Sequence, residues 1–257
     1  MLSKNTIKHI QSLNIKKYRS INNEFIAEGS TIVKDLLLSK TIAYSNIYIT
    51  QKFFELNHNF FNENNINIEI VSEDELKKIS FLNTPQSIIG IFKIPEINFN
   101  IEVIKNELVL MLDNIQDPGN LGTIIRIADW FGINNIICSS NTVDVYNPKV
   151  VQSTMGSISR VNIFYEDLEN TINFALKNNI QVYATSSNGK SIYESKLSKS
   201  GIIIMGNEGN GISESILNLA NNHIKIPLFL NSNKETKPES LNVSVATGII
   251  CSEFRRD

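Results

Sequence analysis

The chain has 257 residues, of which 42% are hydrophobic and 19% are charged, and its formal net charge at pH 7 is −2. This composition is typical of a globular protein that buries a hydrophobic core, and the length fits one large domain or two small ones. Because the net charge is close to zero, no global basic field points to nucleic acid, and any RNA binding must come from a local patch.

The sequence shows neither a targeting pattern nor a disulfide pattern. The first residues, MLSKNTIKHIQ, contain no apolar signal core, and no apolar run approaches the roughly 18 residues that cross a membrane. Cys138 and Cys251 are far apart and form no CxxC pair, which argues against a disulfide framework or a zinc site. We therefore expect a cytoplasmic protein with no membrane partner.

Residues 1–95 are predicted to form a small α/β domain, because short strands alternate with helices. Its predicted elements are an amphipathic helix within residues 1–20, a helix over 30–39, strands over 47–49 and 66–71, a helix through 76–79 and a strand over 88–94. Ser72 and Glu75 have the spacing of a capping box before the last of these helices. The polar residues 96–107 are the predicted linker to a second domain over 108–257.

The second half alternates more regularly and predicts a parallel sheet covered by helices on both faces. Predicted strands cover residues 108–112, 135–139, 180–185 and 201–205, and predicted helices cover 121–131, 167–178, 213–221 and 242–255. Residues 144–160 are a mixed stretch with a predicted helix after Pro148. Ligands of such sheets bind at the carboxyl ends of the strands, so the motifs found there are candidate sites.

The first motif follows the apolar run at residues 108–112. Asp117-Pro118-Gly119-Asn120 has strong turn chemistry, since Pro fixes φ and Gly accepts a positive φ. Apolar residues then recur at helical spacing and predict a helix that begins near Leu121. Arg126 lies about one turn into this helix. It either reaches solvent, pairs with a carboxylate such as Asp129, or meets an anion at the strand end.

The second and third motifs each have an ordinary structural interpretation. Residues 206–211, GNEGNG, join a predicted buried strand to a helix, but their glycine spacing and late position do not fit a dinucleotide fingerprint. An NAD-dependent oxidoreductase is therefore disfavoured. Ser240 or Asn242 is a suitable N-cap for the last predicted helix.

Taken together, these stretches resemble the motifs of a known family. Residues 112–132, residues 202–212, and residues 226–228 with 240–247 resemble motifs 1, 2 and 3 of the SpoU (TrmH-like) RNA 2'-O-ribose methyltransferases of the SPOUT superfamily. The resemblance implies an α/β fold whose C-terminal parallel-sheet domain contains a deep trefoil knot. It also implies a small N-terminal α/β domain like ribosomal protein L30e, S-adenosylmethionine as the cofactor, no metal, and a homodimer. General topology rules disfavour knots, so the knot is expected from the resemblance alone.

The resemblance also implies roles for individual residues. The implied catalytic residues are Arg126, Asn120, Glu208, Ser240 and Asn242. The implied cofactor-binding residues are Gly206, Asn207, Ile226, Leu228 and Leu241. Gly206 has no Cβ, so the cofactor could lie directly on the main chain, with Glu208 holding the loop. Arginine stays protonated up to about pH 12, so Arg126 is either an unusual general base or a group that orients a phosphate.

One segment departs from the family pattern. Family members have a short glycine-containing loop where this chain has the longer, glycine-free residues 228–239, LFLNSNKETKPE. We expect the extra residues to bulge outward as a polar loop that borders the cofactor site.

The RNA-binding candidates are Lys16, Lys17 and Arg19, in the part of the chain where the family engages its substrate, and Arg160. Cations on one helix face neutralise backbone phosphates, although a solvated amphipathic face is the alternative interpretation.

An additional N-terminal domain is typical of large-subunit rRNA methylating enzymes in this family. The resemblance therefore favours 23S rRNA over tRNA as the substrate, and no DNA partner is expected. A tRNA ribose methyltransferase and a non-catalytic RNA-binding homologue are the alternatives left open.

Overall fold

The computed structural model describes residues 1–39, 41–229 and 240–256. The chain divides into two compact units. The first contains Met1–Ile97 and Asp144–Arg160, and the second contains Asn98–Val143 and Val161–Asp257. The predicted loop over residues 228–239 falls mostly outside the described residues.

The first unit is built from a small mixed sheet with helices packed on it. Its elements up to residue 97 are α1 (Lys4–Ser12), α2 (Lys16–Asn22), β1 (Glu24–Glu28), α3 (Ser30–Leu38), β2 (Tyr44–Thr50), α4 (Gln51–Glu63), β3 (Glu69–Val71), α5 (Glu73–Ile79) and β4 (Ile88–Lys93). The strand order is β1-β4-β2-β3, with β2 and β3 parallel and the other pairs antiparallel. The predicted capping box is confirmed, because Ser72 Oγ accepts from Glu75 N and the Glu75 carboxylate accepts from Ser72 N.

The elements after residue 97 alternate between strand and helix. In chain order they are β5 (Leu108–Leu112), α6 (Pro118–Trp130), β6 (Asn135–Cys138), α7 (Pro148–Thr154), β7 (Asn162–Tyr165), α8 (Leu168–Lys177), β8 (Val182–Ser191), β9 (Gly201–Met205), α9 (Glu214–Leu219), β10 (Asn222–Lys225) and α10 (Val243–Arg255). Short 3-10 turns occur at Ile101–Lys105, Ser157–Ser159 and Ile192–Glu194.

The parallel sheet predicted for the second half is confirmed. Within the described residues, six strands pair in the order β10-β8-β9-β5-β6-β7, and every neighbouring pair is parallel. All five residues of β5 and all five of β9 are buried, as expected for strands covered on both faces. Leu112 pairs with Met205, so the chain leaves β5 and β9 side by side at the carboxyl edge.

Residues 144–160 belong to the first unit, although they lie between β6 and β7 in sequence. Their helix, α7, begins at Pro148 as predicted and packs near β1. The ring of Tyr146 lies 4.9 Å from that of Phe25. An ion pair holds each end of the segment, Asp144 with Arg19 and Arg160 with Asp35. The crossover between two strands of the second unit is thus a structural part of the first.

A buried carboxylate ends β1. Glu28 Oε2 accepts a 2.5 Å hydrogen bond from Ser80 Oγ, and Oε1 accepts a 2.7 Å bond from Phe81 N. Burial raises the pKa of Glu28 above its usual range, and these two donors offset only part of that shift.

Candidate functional site

The site begins at the first turn of α6, immediately after β5. Asp117 is the N-cap of this helix, and its Oδ1 accepts a 2.8 Å hydrogen bond from Asn120 N. Pro118 occupies the first helical position, where its missing N–H costs nothing, and α6 therefore begins three residues earlier than the predicted Leu121. The result is a rigid first turn that presents the Asn120 side chain at the carboxyl edge of the sheet.

The loop after β9 is closed by its own asparagine. Asn207 Oδ1 accepts from Gly209 N at 2.9 Å and Asn210 N at 3.1 Å, and Asn207 Nδ2 donates to Asn114 O at 2.9 Å. Asn207 therefore holds the loop, a role that the sequence interpretation gave to Glu208. It also ties the loop to the segment after β5.

Gly206 is required by the loop itself. A Cβ at this position would lie 2.3 Å from Gly211 C and 2.3 Å from Ile212 N, which is too close for any side chain. The space that a side chain would need at Gly206 is therefore filled by the chain's own backbone, so the loop alone accounts for this glycine, and a contact between its main chain and a cofactor stays a prediction.

The third motif starts α10. Asn242 is the N-cap, and its Oδ1 accepts from Ser244 N at 3.0 Å, from Val245 N at 3.3 Å and from Ser244 Oγ at 2.5 Å. The N-cap interpretation of Asn242 is thus confirmed, whereas Ser240 lies exposed before the helix. The buried Ser244 was not among the predicted site residues. Its position two residues after a predicted N-cap was the available signal.

One side chain joins the three motifs. Asn120 Nδ2 donates a 2.5 Å hydrogen bond to Glu208 Oε1, and Asn120 Oδ1 accepts a 2.9 Å bond from Asn242 Nδ2. Asn120 is 88 residues from Glu208 and 122 residues from Asn242 in sequence. A complementary donor and acceptor pairing across three loops fixes all of these groups in one polar cluster, which we call the Asn120 hub.

The helices α6 and α10 run side by side in the same direction. Their first turns meet at the Asn120 hub, and at the other end Arg255 donates from Nε to Phe131 O and from a terminal nitrogen to Gly132 O, both at 2.9 Å. The positive ends of both helix dipoles therefore point to the same corner of the site, where an anionic group is stabilised.

Arg126 is exposed on α6, and within the described residues it makes no hydrogen bond or ion pair. It lies six residues after Asn120, which corresponds to about 9 Å along the helix axis. The pairing with Asp129 considered from the sequence is absent. A guanidinium held on a rigid helix with all of its donors free can bind a planar oxyanion through two parallel hydrogen bonds.

The remaining predicted cofactor residues follow β10 and precede α10. Ile226 is half-buried, whereas Leu228 and Leu241 are exposed. Large apolar side chains that project from the carboxyl edge of a parallel sheet provide a surface for a flat ring.

The four RNA-binding candidates are found in different environments. Lys16 and Lys17 are exposed on α2. The Arg19 side chain is only 3% exposed, and it donates to Asp144 Oδ2 from two nitrogens, at 2.5 and 3.1 Å, and to Leu13 O at 2.8 Å. The predicted phosphate contact of Arg19 is therefore corrected to a structural role. Arg160 is exposed and pairs with Asp35 at 2.9 Å.

A cleft of about 530 Å³ lies at the carboxyl ends of β5, β6 and β7. Its acidic lining residues are Asp113, Glu166, Asp167 and Glu169. Their charge disfavours a phosphate backbone in this cleft.

The described residues contain no group of three or more His, Cys, Asp or Glu side chains placed to hold a metal ion. None of the helices in the described parts of the chain is both long enough and apolar enough to span a membrane.

Solved structures with this fold define the class. The chain matches a Porphyromonas gingivalis protein assigned to the TrmH family of RNA methyltransferases with a TM-score of 0.85 and 34% identity, covering 99% of this chain and 98% of that one. It matches an AdoMet-bound rRNA methyltransferase from Sinorhizobium meliloti with a TM-score of 0.80 and 28% identity, covering 99% and 95%. The fold is therefore that of RNA methyltransferases with an α/β parallel sheet.

Sequence comparisons give the family. Residues 107–252 match the SpoU rRNA Methylase family model, and residues 4–90 match the MRM3-like substrate binding domain. The chain is 30% identical over 250 residues to the 23S rRNA (guanosine(2553)-2'-O)-methyltransferase RlmP of Bacillus subtilis, covering 97% of this chain and 95% of the relative. It is 30% identical over 199 residues to the 23S rRNA (guanosine-2'-O-)-methyltransferase RlmB of Neisseria meningitidis, covering 75% and 77%. The chain belongs to the SpoU rRNA methylase family of RNA methyltransferases, as its three motifs predicted.

Proposed function

We propose that this protein transfers a methyl group from S-adenosylmethionine to a ribose 2' oxygen of 23S rRNA in the cytoplasm. The observation that carries the proposal is the Asn120 hub, in which one side chain joins Glu208 and Asn242 on the helix that also carries Arg126, about 9 Å further along its axis. The names of two relatives, from Bacillus subtilis and Neisseria meningitidis, specify 2'-O-methylation of 23S rRNA, which supports the substrate.

The reaction needs an oriented and activated oxygen. The ribose 2' oxygen bonds to the methyl carbon while the carbon–sulfur bond breaks and leaves its electron pair on sulfur, and the hydroxyl proton passes to water. When bound, S-adenosylmethionine supplies the electrophilic methyl group on a sulfonium. Arg126 binds the phosphate next to the target ribose through two hydrogen bonds and places the hydroxyl in line, because a guanidinium can position a substrate without taking up its proton.

The Asn120 hub orders the surroundings of that oxygen. Glu208 is the carboxylate of the hub, and Asn120 holds it in place through a 2.5 Å hydrogen bond. Asn242 is fixed in turn by Asn120 and by the first turn of α10, with Ser240 exposed just before the helix. This arrangement provides both an acceptor and donors that are already held in place at the site.

The residues present fit an adenosyl group. Ile226, Leu228 and Leu241 supply apolar surface for the adenine ring, and the loop closed by Asn207 supplies main-chain groups for its polar edge. Gly206 serves indirectly, since it allows the tight loop. The Sinorhizobium meliloti relative was crystallised with AdoMet, which supports this cofactor.

We further propose that the C-terminal domain contains the trefoil knot of the family and that two copies of the chain form a homodimer through α6 and α10. Trp130 at the end of α6 is 85% exposed, and Val245 in the first turn of α10 is also exposed. Exposed apolar side chains at both ends of this helix pair favour a contact with another copy of the chain. Replacing Trp130 with Glu is expected to give monomers in light scattering coupled to gel filtration.

The testing experiment follows labelled methyl from S-adenosylmethionine into separated 23S rRNA and tRNA from cells that lack this protein. We expect ribose label in 23S rRNA. Arg126→Ala should abolish transfer and leave cofactor binding in calorimetry unchanged, and Arg256→Ala, an exposed arginine of the same unit, is the matched control.

Label in tRNA would keep the mechanism and change the substrate. Loss of cofactor binding in Arg126→Ala would contradict the role given to Arg126. A wild-type chain that neither transfers methyl nor binds the cofactor would favour a non-catalytic RNA-binding homologue.

A further inference from the structure

Positive charge is concentrated at the start of the chain. The first 23 residues contain five Lys and Arg and no Asp or Glu, whereas the rest of the chain has nineteen Lys and Arg against 26 Asp and Glu. Of these five cations, Arg19 is neutralised by its buried pair with Asp144, and the four lysines remain on helices α1 and α2 or at their ends. In sequence this segment is therefore basic on an otherwise acidic chain, and its α2 end lies away from the acidic first turn of α5, which holds Leu2 at the start of the segment.

The Arg19 pair fixes which face of α2 points outward. The guanidinium is anchored on one side of the helix by Asp144 Oδ2 and Leu13 O. On the other side, Tyr18 and Ile21 are neighbours at a spacing of three residues, and Lys17 and Ile21 at a spacing of four. Tyr18 is 42% exposed and Ile21 66% exposed, and Ile15 before the helix is also exposed.

This face has no partner within the described part of the chain. The Tyr18 side chain makes no hydrogen bond, and its ring contacts no other ring. The exposed Tyr18 ring and the exposed Ile21 form a small apolar surface, and Lys17 next to them adds a positive charge. It is suited to a ligand that has both a flat apolar face and a negative charge.

We propose that the face formed by Lys17, Tyr18 and Ile21 binds an unpaired nucleotide of the RNA substrate, with the base stacked on the Tyr18 ring and the flanking phosphates near Lys16 and Lys17. The proposal rests on the proposed RNA substrate and goes beyond it by naming single-stranded RNA as the class recognised by the first unit. Bases stack on aromatic side chains whatever their identity, while lysines follow the backbone.

Charge complementarity selects RNA over another protein surface. The exposed Leu56 on α4 is apolar too, but it has Glu55 beside it and Glu63 at the end of the same helix. The Tyr18 face instead lies within the segment that has no acidic residue. An RNA strand on this face meets Lys17 and its neighbour Lys16, whereas an apolar protein surface would leave their charges unpaired.

The experiment measures anisotropy of two labelled RNAs with the full-length chain and no methyl donor. One probe is a short unstructured RNA, and the other is the same strand annealed to its complement. We expect Tyr18→Ala to weaken single-strand binding by about five-fold to 150-fold, the usual effect of removing one stacking ring. Duplex binding should stay unchanged, and Tyr18→Trp should bind the single strand as well as the wild type does.

Lys17→Gln should weaken both probes and reduce the slope of log affinity against log salt by about 0.7 to 1. Leu56→Ala is the matched control for loss of an exposed apolar side chain and should change neither probe. The experiment measures RNA binding and no methyl transfer. A protein that does not methylate RNA could therefore still bind the single strand through Tyr18, and a protein whose Tyr18 face does not bind RNA could still methylate it.

Three outcomes would overturn the proposal. The first is wild-type affinity of Tyr18→Ala for the single strand, and the second is an equal loss on both probes. The third is a change of oligomeric state in Tyr18→Ala with RNA binding intact, which would assign the face to a contact between copies.

Discussion

Asp144→Ala should unfold residues 144–160 from the first unit, because it leaves the charge of Arg19 buried without a partner. The Arg19 side chain is 3% exposed, and two of its nitrogens donate to the lost carboxylate. Removing one partner of a buried ion pair costs about 3–5 kcal/mol. Adding Arg19→Met to Asp144→Ala should recover part of that loss, since no buried charge then remains.

Arg160→Ala provides the matched control at the other end of the same segment. Its ion pair with Asp35 joins side chains that are 47% and 31% exposed, and the two nearest atoms are 2.9 Å apart. Exposed pairs contribute about 0–1 kcal/mol, so this variant should be close to wild type in stability. A fall in RNA binding without a fall in stability would in addition support the proposed phosphate contact of Arg160.

Hydrogen exchange measured by mass spectrometry tests whether residues 144–160 alone are destabilised in Asp144→Ala. A local measurement is needed because a chain of two units need not unfold in one step. A loss of about 3 kcal/mol accelerates exchange more than a hundred-fold in peptides from 144–160, while peptides from β5 should stay protected. Equal exchange in Asp144→Ala and Arg160→Ala would refute the reasoning.

Three further outcomes follow from burial and close contact. Glu28→Gln should raise the Tm at about pH 7 and lose that advantage toward about pH 4. The reason is that the folded chain holds Glu28 protonated more readily than the unfolded chain does, so Glu28 contributes its full stabilisation below its ordinary pKa and loses it as the pH rises through its raised folded-state pKa. Calorimetry across this pH range checks the sign. Gly206→Ala should cost about 1–3 kcal/mol and impair methyl transfer, whereas Gly209→Ala, whose Cβ would have 3.6 Å of clearance, should be tolerated in a thermal melt. Ser244→Ala should lower kcat with little change in the KM for S-adenosylmethionine, because it removes the hydroxyl that holds Asn242 at 2.5 Å; parallel loss of stability and rate would show a purely structural serine.

The sequence was sufficient wherever a local pattern determines the structure. The five-residue apolar runs of β5 and β9 became fully buried strands, and the pattern at Ser72 formed its capping box. The turn at Asp117 was also predicted, although the helix starts earlier because Pro118 suits the first helical position. The helix α4 was missed because its Asn and Phe residues have low helix propensity, and tertiary packing of Phe61 outweighs that preference.

Long-range pairing could not be predicted. Lys17 and Arg19 look alike in sequence, yet one is exposed and the other is paired with a carboxylate 125 residues away. The same holds for the Asn120 hub, since the motifs indicated which residues matter, and only the structure shows that Asn207 closes the loop and Glu208 reaches Asn120. Spacing along the chain carries no information about which donor faces which acceptor.

The position of residues 144–160 also bears on how the chain is made. During synthesis the first unit lacks one of its packed segments until residue 160 has left the ribosome, by which time β5, α6 and β6 have already been translated. Arg19 therefore has no ion-pair partner until Asp144, 125 residues later in the sequence, has been translated. Domains usually fold in order from the N-terminus, but here the first unit is completed only after the second has begun. A nascent chain that stalls between residues 97 and 144 would thus present a basic, incompletely packed surface to the nearest RNA, which at that moment is the ribosome translating it.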